Sequence, residues 1–287
     1  MPLYELDDAG KLRAPVLVAA LDGWIDAGSA ATLAVNQLAA DSRPLATFDG
    51  DRLFDYRARR PILDVVDGSL RNLDWPELQL VATSVEDRDL LILTGAEPDY
   101  RWQQLSADLV KLVKQLGVTS WVSLGAIPAA VAHTRPVPVL GTASVSGLLP
   151  DGVVMGPKGH LRVPSAALSV LELAVSRSGV ATLGFFAQIP HYVSTPYPWA
   201  SIELLRHVGL YLGVDLPLGE LPMKALETRT LLDAATSGDE TTKAHVERLE
   251  QMADEAQLPT GDELISDIER FLRRGGDGGQ DGGKLPN

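Results

Sequence analysis

The chain has 287 residues, a formal net charge of −13 from 25 Lys plus Arg against 38 Asp plus Glu, and no cysteine. That balance argues against a phosphate-backbone partner, which needs Lys and Arg gathered on one face. The lack of cysteine removes disulfides, thiolate zinc sites, iron–sulfur clusters and thiol nucleophiles.

In chain order, residues 15–21 read as the first strand, because a Val/Leu run without alternation suits a strand covered on both faces. A turn at 22–28 leads into a helix over 27–40 faced with Ala, Leu and Val. Residues 47–85 read as strands and hairpins, with Asp67-Gly68 as a turn signal between ILDVV and SLRNL, so an antiparallel section joins a parallel one. A strand at 90–94 precedes a helix over 100–116 that stops at Gly117. Then follow a strand at 120–125, a loop to Arg135 and Pro136, and a further strand within 137–145. A Gly- and Pro-rich loop at 147–164, a helix at 165–178, a strand at 182–188 and a helix at 199–212 complete the α/β pattern.

Beyond Gly213 the strand patterns vanish and charged helical periodicity takes over, in 242–257 and again in 262–274. In the second segment Leu264, Ile265, Ile268, Phe271 and Leu272 form an apolar stripe suited to docking. The final GGDGGQDGGKLPN cannot bury enough apolar surface to offset its ordering entropy and is expected to be disordered. The expected organisation is an α/β core over 1–213, a helical appendage over 214–274 and a tail over 275–287. The N-terminus lacks the pattern of a secretory signal, and no run approaches the roughly 18 apolar residues of a membrane span. A cytoplasmic protein with no nucleic-acid or membrane partner is the expectation.

Four apolar runs break off into loops rich in Gly, Pro, His and charge, where α/β sheets gather ligand-binding groups. Asp22 and Asp26 could hold Mg²⁺ or act as acid and base, or else form a tight turn and a helix cap. Glu97, Asp99 and Arg101 form either an anion grip or a local salt-bridge network. His133, Arg135, His191 and Tyr192 lie in two further strand-end loops, and the histidines could converge for acid–base work or for zinc with Asp22 or Glu97. They equally suit capping of carbonyls, and no HxxxH or HExxH spacing supports a metal. No P-loop and no Gly-x-Ser-x-Gly elbow is present. Tyr56, Arg57, Tyr100, Arg101, Tyr192, Tyr197 and Trp199 lie in or beside the loops and suit an interface.

Together, GWIDAGSAA, DYRARRP, GAEPDYRW, LGAIPAAVAHTRP, GFFAQIPHYVS and LPTGDELISDIERFL, spread over about residues 10 to 273, resemble the proteasome assembly chaperone family in its actinobacterial-type branch. The resemblance implies a three-layer αβα fold of the purine nucleoside phosphorylase kind, with a mixed, mostly parallel sheet and a helical C-terminal portion. It also implies homo-oligomers, trimers among them, and transfers no catalytic residue. Archaeal relatives contact proteasomes through a hydrophobic-Tyr-any tail. This chain ends Lys284-Leu285-Pro286-Asn287, so docking of that kind is not expected.

Two readings follow. The first is a non-enzymatic, homo-oligomeric protein-binding factor that uses the loops and C-terminal helices as contact surfaces. The second is an enzyme or sensor on the same scaffold, for example a carboxylate-amine ligase or a phosphorylase or hydrolase. It would bind a small anion with Arg101 and Arg135, and use His133 or His191 for proton transfer. Neither reading calls for a cofactor or a resident metal.

Overall fold

In the computed structural model, which describes residues 1–257, the chain opens with β1 (Tyr4–Leu6) and β2 (Val16–Ala19). A 3-10 turn (Ala27–Ser29) enters α1 (Ala30–Leu38), followed by β3 (Arg43–Phe48), the single turn α2 (Gly50–Leu53) and the strands β4 (Ile62–Val66) and β5 (Ser69–Asp74). Next come β6 (Leu78–Val85), β7 (Arg88–Gly95), α3 (Trp102–Gln115), β8 (Ser120–Ala129), β9 (Val139–Ala143) and β10 (Val154–Met155). The remainder is α4 (Ala167–Arg177), β11 (Ala181–Pro190), α5 (Pro198–Leu212), α6 (Leu221–Ser237) and α7 (Glu240–Gln257).

The main sheet has the order β1-β3-β6-β7-β2-β8-β11-β9-β10. Its four central strands, β7, β2, β8 and β11, are parallel, and antiparallel pairings extend it on both sides. The alternation of side chains across each strand explains why the central runs are apolar at every position. Val18, Ile92, Val122 and Phe185 face α1 and α5, whereas Leu17, Leu91 and Trp121 face α3 and α4. The result is helices on both faces of a mixed sheet. Among the described residues no helix is long and apolar enough to cross a membrane.

Four local differences from the sequence pattern have physical causes. The helix read over 27–40 is broken at its start, because Gly28 and Ser29 both take left-handed backbone angles. Strands β4 and β5 pair only with each other and stand off the main sheet. The loop over 147–164 contributes β10, a two-residue strand at the sheet edge. Helix α6 was not legible because it buries only Leu221 and Ala225, too few for an apolar stripe. The helix read over 262–274 and the tail over 275–287 lie outside the described residues.

The chain passes from β2 to β7 on one side and then crosses to β8 on the other, so the switch point of the sheet lies between β2 and β8. Residues 22–26 run across these strand ends, with Asp22 bridged to Ala96 and Asp26 to Ala126. Beside them Gly95 has φ of +129°, and a Cβ there would stand 2.1 Å from the Glu77 carbonyl oxygen. That carbonyl accepts the Ala96 N–H at 2.8 Å, so it cannot swing away freely. Gly95→Ala is therefore expected to lower unfolding stability by about 2 to 3 kcal/mol. Chemical denaturation should show this as a lower midpoint at unchanged slope.

Candidate functional site

Two carboxylates hold the loop at the switch point. Glu97, just after β7, accepts the Trp24 N–H at 2.7 Å with Oε2 and the Ala167 N–H at 2.6 Å with Oε1. It thus ties the loop after β2 to the first turn of α4. A side chain at position 23 would collide with it, since a Cβ on Gly23 would lie 2.1 Å from Oε2. Asp26 is buried and accepts the Ala31 N–H at 2.7 Å, the more distant Thr32 N–H, and the Thr32 hydroxyl. Burial holds its carboxyl above the ordinary value, with the Thr32 and Ala31 hydrogen bonds opposing. Of the two chemistries open to Asp26, the capping one is realised.

Asp22 is exposed and pairs with Arg59 at 2.6 Å, while a second Arg59 nitrogen donates to the Asp22 carbonyl at 3.0 Å. This clasp brings the segment before β4 against the loop after β2. On one side of Arg59 lies a cavity of about 560 Å³ lined by Asp22, Thr94, Arg60 and Trp75. On the other lies one of about 370 Å³ lined by Trp24, Glu97 and Trp102. Trp24 is 71% exposed.

The second group sits where α6 and α7 meet the loops after β8 and β11. His133 is 2% exposed and is held on every side. The Tyr192 phenolic oxygen accepts the His133 backbone N–H at 2.9 Å, and the phenol donates to Nδ1 at 2.7 Å. That leaves Nε2 to donate to Asp233 of α6 at 3.1 Å. Arg229 completes the knot, donating to both Asp233 oxygens and, at 2.9 Å, to the His133 carbonyl. Arg135 forks onto Asp254 of α7 at 2.9 and 2.8 Å, and Thr134 donates to Glu250. His191 accepts an edge-to-face approach from His245 of α7, with ring centres 5.3 Å apart. Ala132 packs with Val246 and Leu249, and Tyr192 lies against them.

The structure therefore brings His133, Arg135, His191 and Tyr192 together as the seat of α6 and α7, and brings Asp22, Asp26 and Glu97 together around the loop after β2. Among the described cavities none is lined by members of both groups. Arg101 stands apart: it takes a left-handed conformation ahead of α3 and reaches only Gln104, at 3.4 Å. The Glu97–Asp99–Arg101 network does not form, because Glu97 turns to Trp24 and α4 while Asp99 accepts the Asp55 N–H. Tyr197 is buried in the core and is no interface anchor. Among the described residues no three His, Asp or Glu side chains come together in a metal-binding arrangement. Sequence reasoning missed Arg59, Arg229, Asp233, His245, Glu250 and Asp254. The i,i+4 spacing of Arg229 and Asp233 was a visible signal of a helix there, but their partner His133 lies 100 residues from Asp233.

The PAC2 family profile matches residues 20–236. The chain belongs to the PAC2 family. Among solved PAC2-type structures, Rv2714 of Mycobacterium tuberculosis, described as of unknown function, is 34% identical with a TM-score of 0.82, covering 88% of this chain and 90% of that one. The M. tuberculosis proteasome-assembly chaperone homologue Rv2125 is 35% identical with a TM-score of 0.73, covering 80% and 99%. PbaB of Pyrococcus furiosus, an archaeal proteasome activator, shares the fold at 15% identity and a TM-score of 0.64, covering 81% and 97%. No curated protein matches the chain.

In this PAC2 protein two buried histidines, His133 in the seat of α6 and α7 and His207 on α5, couple stability to pH. Burial depresses the pKa of His133 against the opposing Asp233 hydrogen bond, and burial likewise depresses that of His207 on α5. The folded state keeps both neutral, while an unfolded chain takes up protons near pH 6.5. Their contribution to stability is thus full above about pH 6.5 and is lost as pH falls through the depressed values. The histidine contribution to Tm is expected to fall between pH 7 and 5, against an opposing gain as the buried Asp26 and Glu172 carboxyls take up protons. Tyr192→Phe removes the phenolic oxygen and should cost about 1 to 2 kcal/mol. Hydrogen exchange should show α6 and α7 losing protection in this variant while β2, β7 and β8 keep theirs.

Proposed function

We propose that this PAC2 protein is a non-enzymatic, homo-oligomeric protein-binding factor of the proteasome-assembly-chaperone type. The observation that carries this reading is the β4–β5 hairpin. Its residues are exposed along both strands, including Ile62 at 69%, Leu70 at 72%, and Leu63, Val65, Val66 and Leu73. A two-stranded hairpin is marginal on its own in water, and monomers rarely display so much contiguous apolar surface. A second copy of the chain is the natural cover. Because side chains alternate across a strand, both hairpin faces carry apolar groups, which suits the head-to-tail contacts of a closed ring such as a trimer. Similarity to Rv2125, a proteasome-assembly chaperone homologue, supports the protein-binding part.

The test uses Ile62→Ser with Leu70→Asp, two exposed positions whose change leaves the protomer core intact. Wild type is expected to elute as an oligomer in light-scattering chromatography and the double variant as a folded monomer. A monomeric wild type would remove the reading.

One observation favours a second reading, a small-anion sensor or enzyme. The 560 Å³ cavity at the ends of β2 and β7 includes Arg60, for which no carboxylate partner is seen among the described residues. Arg135, by contrast, is spent on Asp254 and Glu250. Under this reading inorganic phosphate raises Tm in wild type and not in Arg60→Ala. Equal responses, or none, leave the oligomeric factor as the function.

A further inference from the structure

Away from the strand-end loops, the sheet face beside α4 holds a second concentration of polar groups. Glu172, in the middle of α4, turns to β8 and β11, where the Ser123 and Thr182 hydroxyls face its carboxyl. Ser123 is fully buried and accepts the Trp121 indole N–H at 2.7 Å, which leaves its own O–H for the carboxyl. Thr182 is buried as well, and its backbone N–H donates to the Ser144 hydroxyl at 3.0 Å. Glu172, Thr182 and Ser144 border a cavity of about 400 Å³ between α4 and the β9 edge, and among the described residues Glu172 is the only ionisable one lining it. Burial raises the Glu172 pKa, and the two hydroxyls draw it part of the way back.

Phe186 forms the opposite wall. A Cβ on Gly125 would lie 2.6 Å from one edge of its ring, and a Cβ on Gly184 2.7 Å from the other edge. Two glycines therefore let the ring lie flat on the sheet, with its outer side toward the cavity. A partly buried carboxylate here has hydroxyl partners, an aromatic face and open volume, but among the described residues no opposite charge. An unpaired charge away from water is costly, and neutral hydroxyls offset only part of that cost.

We propose that this cavity binds the primary ammonium group of a small amine. Glu172 is the counter-ion, the Thr142, Ser144 and Ser169 hydroxyls take N–H donors, and Phe186 supplies a cation–π wall. An ammonium is a compact charge with three donors, which matches one carboxylate among hydroxyl acceptors, and its position over a ring face adds attraction. An anion would meet the carboxylate. Mg²⁺ and Ca²⁺ call for six or more oxygens in a tighter cage. A neutral polyol would leave the carboxylate uncompensated.

The probe is n-butylammonium, titrated calorimetrically into the full chain at constant ionic strength. Tetramethylammonium, which has no N–H, and glycerol, a neutral polyol, are the controls. One-to-one binding of n-butylammonium is expected, with both controls weaker by roughly tenfold or more. Glu172→Gln should weaken binding by a similar factor, and Phe186→Leu by less. Wild type alone provides a second readout. In two buffers of different ionisation enthalpy near pH 5, amine binding should release a proton as the carboxyl is driven to its charged form. The proposal is overturned by any of four results: no binding at tens of millimolar, glycerol binding as well as the amine, a folded Glu172→Gln that binds unchanged, or binding without proton release.

Discussion

Backbone N–H groups at the carboxyl end of the sheet have to find partners where water is scarce, and two acidic side chains meet that need. Glu97 serves the loop after β2 and the start of α4 at once, and Asp26 serves the start of α1. The Glu97 link joins segments 73 and 70 residues away in sequence. The left-handed angles at Gly28 and Ser29, and the bare Cα of Gly23, are what let the loop come close enough to be held. The loop in turn sets where Asp22 stands, and so where Arg59 draws the segment leading to the hairpin.

At the other end of the same rim the polar groups serve a different purpose. His133 and Tyr192 are fixed by each other before they meet α6, and Arg135 and Thr134 give α7 its foothold. Apolar contact of α7 centres on Ala132, Val246, Leu249 and the Tyr192 ring, whereas α6 places Leu221 in the main core and Leu232 against it. For α7, hydrogen bonds and ion pairs add to this small apolar contact, and most of the ion pairs are partly exposed, where each contributes little alone.

The central strands were legible because a strand buried on both faces must be apolar at every position, as Val16–Ala19 is. Helix α3 was legible from its stripe of Leu105, Leu109, Leu112 and Val113 and from the stop at Gly117. Helix α6 was hidden because its order comes from contacts such as Asp233 with His133 and not from an apolar face. The histidines and Arg135 stood out as chemically capable, yet their partners lie about 100 residues away, beyond the reach of any local pattern. Arg101 misled for the opposite reason. Its acidic neighbours in sequence have their own backbone partners in space.

The capped starts of α1 and α4 also bear on what the scaffold can attract. The first turn of a helix carries roughly half a positive charge, and many α/β proteins aim it at a phosphate. Here the Asp26 and Glu97 carboxylates already occupy those positions at the starts of α1 and α4, so the poles of these two helices are met from within the chain. At these two helix starts an anion from solution would have to displace a carboxylate that the chain itself supplies.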